Sequence, residues 1–321
     1  MRSRLFTVSA PPHVRAGDTT TGVMMTVLIA LLPAQAAAVW IFGVRTLLIT
    51  AVCVAAALLS EWLIRLLFKR TSTLGDLSAA VTGTLLAFCL PSTVPLWMAA
   101  LGSVFAIVVA KQFFGGIGQN FVNPAIAGRI FLLISFPGAI SEWALPKAQQ
   151  TADAITGATP LAIARAGSEM TPLWDLLMGN HGGSYGEVCA LALLAGGAYL
   201  LFRNVISPII PLSFIAAVAA GMFFAGGLNP AYALEQVLSG GVILGAVFMA
   251  TDYVTSPMHK GGKLIFGIGC GLITVAIRVW GNLPEGVSYA ILLMNIASPL
   301  IERFTQPKIF GAQKELKDVA A

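Results

Sequence analysis

Charged residues are scarce in this sequence. Asp, Glu, Lys and Arg together make up 10% of the 321 residues, whereas hydrophobic residues make up 57%. Soluble domains carry about 25% charged residues. With a mean hydropathy of +0.84, the composition excludes an ordinary soluble enzyme and indicates an integral membrane protein.

Cysteine is also rare. The four cysteines, Cys53, Cys89, Cys189 and Cys270, lie singly in apolar runs, without a CxxC or Cys/His cluster. This arrangement offers no ligand set for zinc or an iron–sulfur cluster, so we interpret the four as packing residues. A signal peptide is lacking too, because the opening MRSRLFTVSAPPHVRAGDTTTG is polar and has no short apolar core with a cleavage site. We therefore expect the first apolar helix to stay in the mature chain.

Long apolar runs, in contrast, recur along the whole chain. A bilayer core needs about twenty apolar residues per helix, and fewer where a helix is broken or partly buried in protein. Ten segments qualify and predict an all-α polytopic membrane protein: 22–42, 46–68, 77–93, 96–114, 124–137, 187–202, 208–226, 239–253, 263–280 and 287–304. The third, fifth and eighth of these are short.

Lysine and arginine are distributed unevenly among the connections. With a cytoplasmic N-terminus, most of them, including Lys111, fall on the cytoplasmic side. The positive-inside rule then predicts that segment 1–21 and tail 305–321 are cytoplasmic and that loop 138–186 lies outside. Topology thus explains the sequence pI of about 9.2, and the expected surroundings are a lipid bilayer rather than a nucleic acid.

Two stretches of equal length indicate an internal repeat. GTLLAFCLPSTVP (83–95) and GAVFMATDYVTSP (245–257) are each a short apolar helix followed by a polar break and a proline. Five predicted spans precede the long loop and five follow it, so 22–137 and 187–304 would form a 5+5 inverted repeat whose broken helices meet near the midplane. The alternative is that Pro and Gly only end short helices there.

The stretch FVNPAIAGRIF contains a helix start and a charge. Asn123 is typical of an N-cap and Pro124 of the first helical position, so free N–H groups would point toward a phosphate or an electron-rich ring. Arg129 lies at a depth where an unpaired charge is costly, and it should have a partner. That partner is either a carboxylate in a structural salt bridge or a flavin or ion.

The outside loop is long for a connection without evident secondary structure, and such loops are usually functional or disordered. Its apolar residues argue against disorder. Within it, Thr156, Gly157, Ala158 and Thr159 place a hydroxyl after two small residues, where a bulky group could approach the backbone. The alternative for Thr159 is a cap on the helix that starts at Pro160.

An ion path would need polar side chains at the helix breaks. Asp252 is the best candidate, because Thr251 and Thr255 beside it offer oxygens that can coordinate sodium or relay protons. The alternative is that Asp252 pairs with Lys260 or Lys263 at the cytoplasmic surface.

Three other polar residues receive simpler interpretations. Glu61 is expected to pair with Arg65 one helical turn on. His181 could face a cofactor, but a lone histidine in a glycine-rich loop is more often a surface residue. Asp153 is interpreted as a solvated residue.

Several motifs together resemble one family over nearly the whole chain. They are TGAT in an external loop, NPAIAGR, TDYVTSP, the opening SAPPHVRAGDTTTGVM and the ten-span layout. The family comprises the D subunits of Rnf electron-transport complexes and the B subunits of sodium-pumping NADH:quinone oxidoreductases. The short N-terminal segment favours the Rnf branch.

The resemblance implies a fold, cofactors and partners. The fold would be similar to that of urea transporters, and Thr159 would carry FMN through its phosphate, attached by a magnesium-dependent transferase that uses FAD and releases AMP. A second, non-covalent flavin, riboflavin, is also implied. The partners would be the A, B, C, E and G subunits in a bacterial or archaeal inner membrane, and the complex would couple electron transfer between ferredoxin and NAD to Na⁺ or H⁺ transport.

Two other classes of function stay open at the level of sequence. One is a channel or transporter for a small solute built on the same repeat, and the other is a membrane scaffold whose loop docks partners. Within the family, a quinone-reductase subunit is the alternative to an Rnf subunit.

Overall fold

The computed structural model describes residues 19–71, 73–150, 156–167, 171–281 and 285–307. The described residues form these helices: α1 (Thr20–Phe42), α2 (Arg45–Leu67), α3 (Ser78–Phe88), α4 (Leu96–Ile107), α5 (Pro124–Ser135), α6 (Pro137–Ile140), α7 (Pro160–Arg165), α8 (Leu173–Met178), α9 (Ala190–Phe202), α10 (Ile209–Ala225), α11 (Pro230–Leu238), α12 (Val242–Leu244), α13 (Lys260–Trp280) and α14 (Val287–Thr305). Asp153, most of segment 1–21 and most of tail 305–321 lie outside the described residues.

The described chain is helical, and several of its helices are apolar. By length and composition three of them could cross a membrane, namely α1, α2 and α13, and a bent pair of α11 with 242–249 could supply a fourth. The helices α3, α5, α9 and α10, and α4 with its π-helical continuation to Gln112, are apolar but shorter. This is the architecture of a multi-pass membrane protein, and the count of ten crossings stays a prediction.

The two broken segments have the predicted local form. Within 83–95, α3 ends at Phe88, and α4 begins just after it at Leu96. Within 245–257, a π-helical turn ends at Met249, and α13 begins after it at Lys260. A proline stands directly before α4 and at the first position of α5, where its missing N–H would have no partner in any case and its fixed φ suits a helix start.

One helix was missed by the sequence interpretation. The eighth segment was predicted from 239, but α11 precedes it and meets 242–249 at an angle of 67°. Asn229 accepts from the N–H groups of Ala231 and Tyr232, the same cap that Asn123 provides for α5. The Asn-Pro pair was therefore a usable signal at both places.

Small residues let the helices approach closely. A Cβ on Gly83 would lie 2.9 Å from the carbonyl oxygen of Cys53, where α3 crosses α2. A Cβ on Gly271 would lie 3.0 Å from the carbonyl oxygen of Phe214, where α13 crosses α10. In an apolar solvent, close backbone packing of this kind replaces the hydrophobic effect as the source of association between helices.

The long loop packs on one end of the helices. Near its close, Ser184 donates its hydroxyl to the carbonyl of Cys89 at 3.3 Å, and the N–H groups of Tyr185 and Gly186 bond the carbonyls of Leu90 and Phe88. These carbonyls stand at the end of α3, where a helix has no N–H groups of its own left to bond them. The loop therefore caps the broken helix.

Candidate functional site

The TGAT segment lies on the surface of the loop. Thr156 pairs with Ala144 in an isolated antiparallel bridge, and the N–H of Gly157 bonds the carbonyl of Trp143 at 3.0 Å. Thr159 is partly exposed and accepts from the N–H of Ala162 at 3.3 Å through its hydroxyl. The predicted N-cap of α7 is therefore confirmed, and the cap leaves the hydroxyl within reach of solvent.

Gly157 has a packing role that the sequence interpretation did not include. A Cβ at this position would lie 2.6 Å from a methyl carbon of Leu145. The missing side chain thus makes room for Leu145 rather than for an incoming group. Ala158, which is exposed, is the neighbour that leaves the approach to Thr159 open.

Thr159 lines a small cavity of about 40 Å³. Its polar lining includes His181, Ser184, Glu187 and Glu285. Trp143, Pro160, Leu161 and Val188 supply most of its apolar wall. A hydroxyl, an imidazole and two carboxylates thus face one space.

His181 was interpreted as a surface residue, and this was wrong. It is 7% exposed, and its Nδ1 lies 3.1 Å from the carbonyl oxygen of Gly182, to which it can only donate. Burial lowers the pKa of His181 below its ordinary value. Nε2 is itself buried and has no hydrogen-bond partner within the distance and angle limits among the described residues.

Arg129 lies behind this cavity and has two partners. Its Nη1 is 2.7 Å from Oε1 of Glu187, and its Nη2 is 2.5 Å from Oε2 of Glu285. The prediction that Arg129 needs a partner is confirmed, and the salt-bridge interpretation is the one that the structure supports. One guanidinium therefore joins two carboxylates behind the Thr159 cavity.

Two glycines at the bend between α11 and α12 hold the carboxylates in place. The N–H of Gly241 donates to Glu285 at 3.0 Å. A Cβ on Gly241 would lie 2.7 Å from Oε1 of Glu285 and 2.9 Å from Oε1 of Glu187. Gly240 has a φ of +67°, which favours glycine.

Asp252 lines a second cavity, of about 100 Å³, which is also lined by Thr251, Asn123, Ser78 and Lys111. Its carboxylate accepts from the N–H of Val254 at 3.4 Å and from the hydroxyl of Thr255 at 3.2 Å. The alternative pairing with Lys260 or Lys263 is wrong, because within the described ranges Asp252 forms no ion pair with either lysine.

Asn123 caps α5 as predicted, but its surroundings differ from the expectation. Its Oδ1 already accepts from the N–H groups of Ala125 and Ile126, and its Nδ2 donates to the carbonyl of Met249 at 3.1 Å. Two of the N–H groups that were expected to be free for a phosphate or a ring are therefore satisfied. The residue joins α5 to the break that carries Asp252.

Glu61 pairs with Lys111, so the predicted pair with Arg65 was wrong. The Nζ of Lys111 lies 3.1 Å from Oε2 of Glu61 and 2.6 Å from Oγ of Ser78. Arg65 instead donates to the carbonyl of Thr71. Lys111 is buried rather than part of a cytoplasmic surface, because the two charges stabilise each other away from water.

The sequence of the chain was compared with known families and proteins. The profile of the NQR2, RnfD, RnfE family matches residues 7–311. The D subunit of the Na(+)-translocating ferredoxin:NAD(+) oxidoreductase complex of Acetobacterium woodii is 48% identical over 321 residues, which cover 98% of each chain. The chain belongs to the NQR2, RnfD, RnfE family.

Other members of the NQR2, RnfD, RnfE family match over almost their full length. The D subunit of the proton-translocating ferredoxin:NAD(+) oxidoreductase complex of Clostridium ljungdahlii is 38% identical over 327 residues, 98% of each chain. The D subunit of the ion-translocating oxidoreductase complex of Escherichia coli K12 is 37% identical over 350 residues, 97% of this chain and 99% of that protein. The names of these relatives thus include both sodium and protons.

The sequence interpretation did not identify two residues of the site. Glu187 and Glu285 line the Thr159 cavity, yet neither lies in a motif. The available signal was Arg129, whose charge required an acidic partner, and Glu187 stands at the start of the predicted sixth span. The partner could be expected, but its position could not be read from spacing.

Proposed function

We propose that the chain is the flavin-carrying membrane subunit of an ion-translocating ferredoxin:NAD oxidoreductase complex, with FMN esterified to Thr159 through its phosphate. One observation carries the proposal: Thr159, the last residue of TGAT, is partly exposed and lines a cavity together with His181, Glu187 and Glu285. The names of full-length relatives support the assignment to such a complex. The chain acts as an enzyme only as part of that complex.

Attachment is a phosphoryl transfer. The Thr159 oxygen bonds to the flavin-side phosphorus of FAD, AMP leaves and the hydroxyl proton is released, in a reaction assisted by the transferase and its magnesium. Thr159 loses one weak hydrogen bond to Ala162 when its oxygen is esterified. The cavity residues suit the flavin rather than its phosphate, because Glu187 and Glu285 would repel a phosphate placed among them.

Bound FMN supplies one-electron transfer, with a potential that depends on nearby hydrogen bonds and charges. In this chain Glu187, Glu285 and the guanidinium of Arg129 that joins them would set the charge around a ring placed at the Thr159 cavity. The described cysteines are all free thiols and lie far apart in the sequence, so electrons enter and leave through the partner A, B, C, E and G subunits.

The proposed topology is ten spans in a 5+5 inverted repeat, with cytoplasmic termini and loop 138–186 outside. In each half the helix of the second predicted span packs against the helix of the fourth, α2 against α4 and α10 against α13, which supports two related halves. Exposed Trp40, Trp97 and Trp280 support the position of a membrane interface at the loop end, because tryptophan concentrates at such interfaces.

The proposed ion path passes Asp252, Thr251 and Thr255 at the break after Met249. Their oxygens suit Na⁺ or a proton relay, and Asp252 lines the second cavity, which shares no lining residue with the Thr159 cavity. Riboflavin is proposed near the same cavity, where Asn120 and Asn123 provide amides between apolar walls.

Flavin fluorescence on a denaturing gel tests the attachment. We expect a fluorescent band when the chain is co-expressed with the flavin transferase, no band for Thr159→Ala, and a normal band for the control Thr171→Ala in the same loop. A wild-type protein without fluorescence, or a Thr159→Ala variant that keeps it, would contradict the proposal. Turnover of the assembled complex with and without Na⁺ decides between sodium and proton coupling.

A further inference from the structure

Arg278, in the last turn of α13, has a hydrogen-bonding arrangement that is incomplete. It is 7% exposed, and its Nη1 donates to the carbonyl of Gln236 at 2.5 Å while its Nη2 donates to the carbonyl of Ser239 at 3.2 Å. These carbonyls close the end of α11, which is a structural role. Nε, however, has no partner among the residues that the structure describes.

The charge of Arg278 is also without a carboxylate. In the part of the chain that the structure describes, no Asp or Glu oxygen lies within 4.0 Å of its guanidinium. The glutamates nearby, Glu187 and Glu285, already bind Arg129. Among the described residues Arg278 therefore binds carbonyl oxygens and no carboxylate directly, and its charge would attract an added anion.

A cavity of about 210 Å³ adjoins Arg278, and its lining is basic. Arg165 and Tyr232 line it together with Arg278 and Gln236, and the described lining includes no Asp or Glu. Arg165 is held at the cavity by a hydrogen bond from its Nη2 to the carbonyl of Gly281 at 2.6 Å. Two guanidiniums therefore converge on one space, which is the donor set that binds phosphate oxygens best.

The position of this cavity indicates the source of the phosphate. α13 is one of the helices long and apolar enough to cross a membrane, and Arg278 lies just before its end. Trp280, 81% exposed, follows it, and exposed Phe224 precedes the lining residue Ala225. Exposed aromatics at a helix end mark the depth of lipid headgroups, so phosphate would meet the arginines where acyl chains can lie along apolar side chains.

We propose that the cavity between α7, α10, α11 and α13 binds the phosphate of an anionic phospholipid through Arg278 and Arg165. Arg165, which is exposed and is held by its bond to Gly281, donates to the phosphate oxygens, and the buried charge of Arg278, fixed by its carbonyl bonds, adds to the attraction. The site is separate from the proposed flavin attachment, because Thr159 does not line it. It holds whether or not Thr159 carries FMN.

The test uses the delipidated full chain in detergent, produced without the flavin transferase. Phosphatidylglycerol, phosphatidylcholine and inorganic phosphate are added separately, and binding is read by native mass spectrometry and by the rise in Tm. We expect one tightly bound phosphatidylglycerol, with phosphatidylcholine and inorganic phosphate at least tenfold weaker. Arg165→Gln should weaken phosphatidylglycerol about fivefold, and Arg278→Gln more, whereas the exposed control Arg203→Gln should not change it.

Three other outcomes would contradict the binding of a phospholipid in this cavity. Equal binding of phosphatidylglycerol by the wild type and Arg165→Gln would overturn the proposal even if Arg278→Gln fails to fold. Inorganic phosphate that raises Tm as well as the lipid does would assign the cavity to free phosphate. If co-expression with the transferase abolishes phosphatidylglycerol binding, the flavin phosphodiester occupies the cavity instead.

Discussion

Arg129 on α5 and Glu187 at the close of the long loop form an ion pair of 2.7 Å between residues 58 positions apart. The pair joins α5, which precedes the loop, to the residues just before α9, which follows it. Because Glu187 also lines the Thr159 cavity, the same contact ties the fold to the proposed flavin site.

Removal of the guanidinium should be strongly destabilising. In Arg129→Gln, the buried Glu187 and the partly buried Glu285 would lose their common partner, and breaking a buried ion pair from one side costs about 3–5 kcal/mol. We expect a large fall in Tm and in the yield of monodisperse protein, measured by thermal unfolding and size-exclusion chromatography in detergent. Arg203→Gln, at an exposed arginine, is the control, and an equal Tm for both variants would contradict the proposed role of the pair.

Thr159 has two separable roles, one in the helix cap and one in the proposed attachment. Thr159→Ala should remove both, with a local cost of about 1 kcal/mol for the cap. Asparagine caps helices as well as threonine does but has no hydroxyl, so Thr159→Asn should keep the Tm of the wild type and lose the fluorescent band. A fluorescent Thr159→Asn band would show that the flavin is attached elsewhere.

We expect the free energy of unfolding to depend on pH because His181 is buried. Burial lowers its pKa in the folded state, so the unfolded chain binds the proton more readily and the free energy of unfolding rises with pH between the two pKa values. The stability that neutral His181 contributes is present above its ordinary pKa of 6.5 and is lost as the pH falls below it. We expect Tm to fall from pH 7 to pH 5, and to fall less in His181→Gln.

The control for that experiment is His259→Gln, at the start of α13. This variant should keep the pH dependence of the wild type, because His259 does not line the Thr159 cavity. Identical Tm profiles for the wild type and His181→Gln would show that the ring does not lose a proton on folding.

Gly241 should not tolerate a methyl group. In Gly241→Ala the new Cβ would meet oxygens of Glu285 and Glu187 at 2.7 and 2.9 Å, and forcing atoms into a packed site costs about 1–3 kcal/mol. Gly261→Ala is the matched control, since no described atom lies within 4 Å of the position its methyl group would take and alanine favours a helix. A Gly241→Ala protein with wild-type Tm and flavin content would contradict this geometry.

Local patterns in the sequence were sufficient for many of the helices and their caps. The apolar run 263–280 predicted most of α13, and the Asn123 and Thr159 caps were predicted because each depends on neighbours two or three residues away. α11 was not predicted because Tyr232 and Glu235 interrupt its apolar residues, although the helix is buried on one side.

Charge pairing could not be predicted in the same way. Glu61 had a suitable partner one turn away in Arg65, but it binds Lys111, 50 positions along the chain. That choice depends on how α2, α3 and α4 pack, which brings Glu61 and Ser78 to the same ammonium group. For the same reason the position of His181 in the Thr159 cavity followed only from the fold of the loop.

The cap of α3 by residues 184–186 has a consequence for biogenesis. Ser184 reaches the carbonyl of Cys89 from 95 positions later in the chain, so α3 leaves the ribosome long before the groups that bind its last carbonyls exist. Until those residues are made, water or the insertion machinery must solvate that end of the helix. The first half of the protein therefore cannot reach its final state alone, and its maturation is timed by translation of the loop.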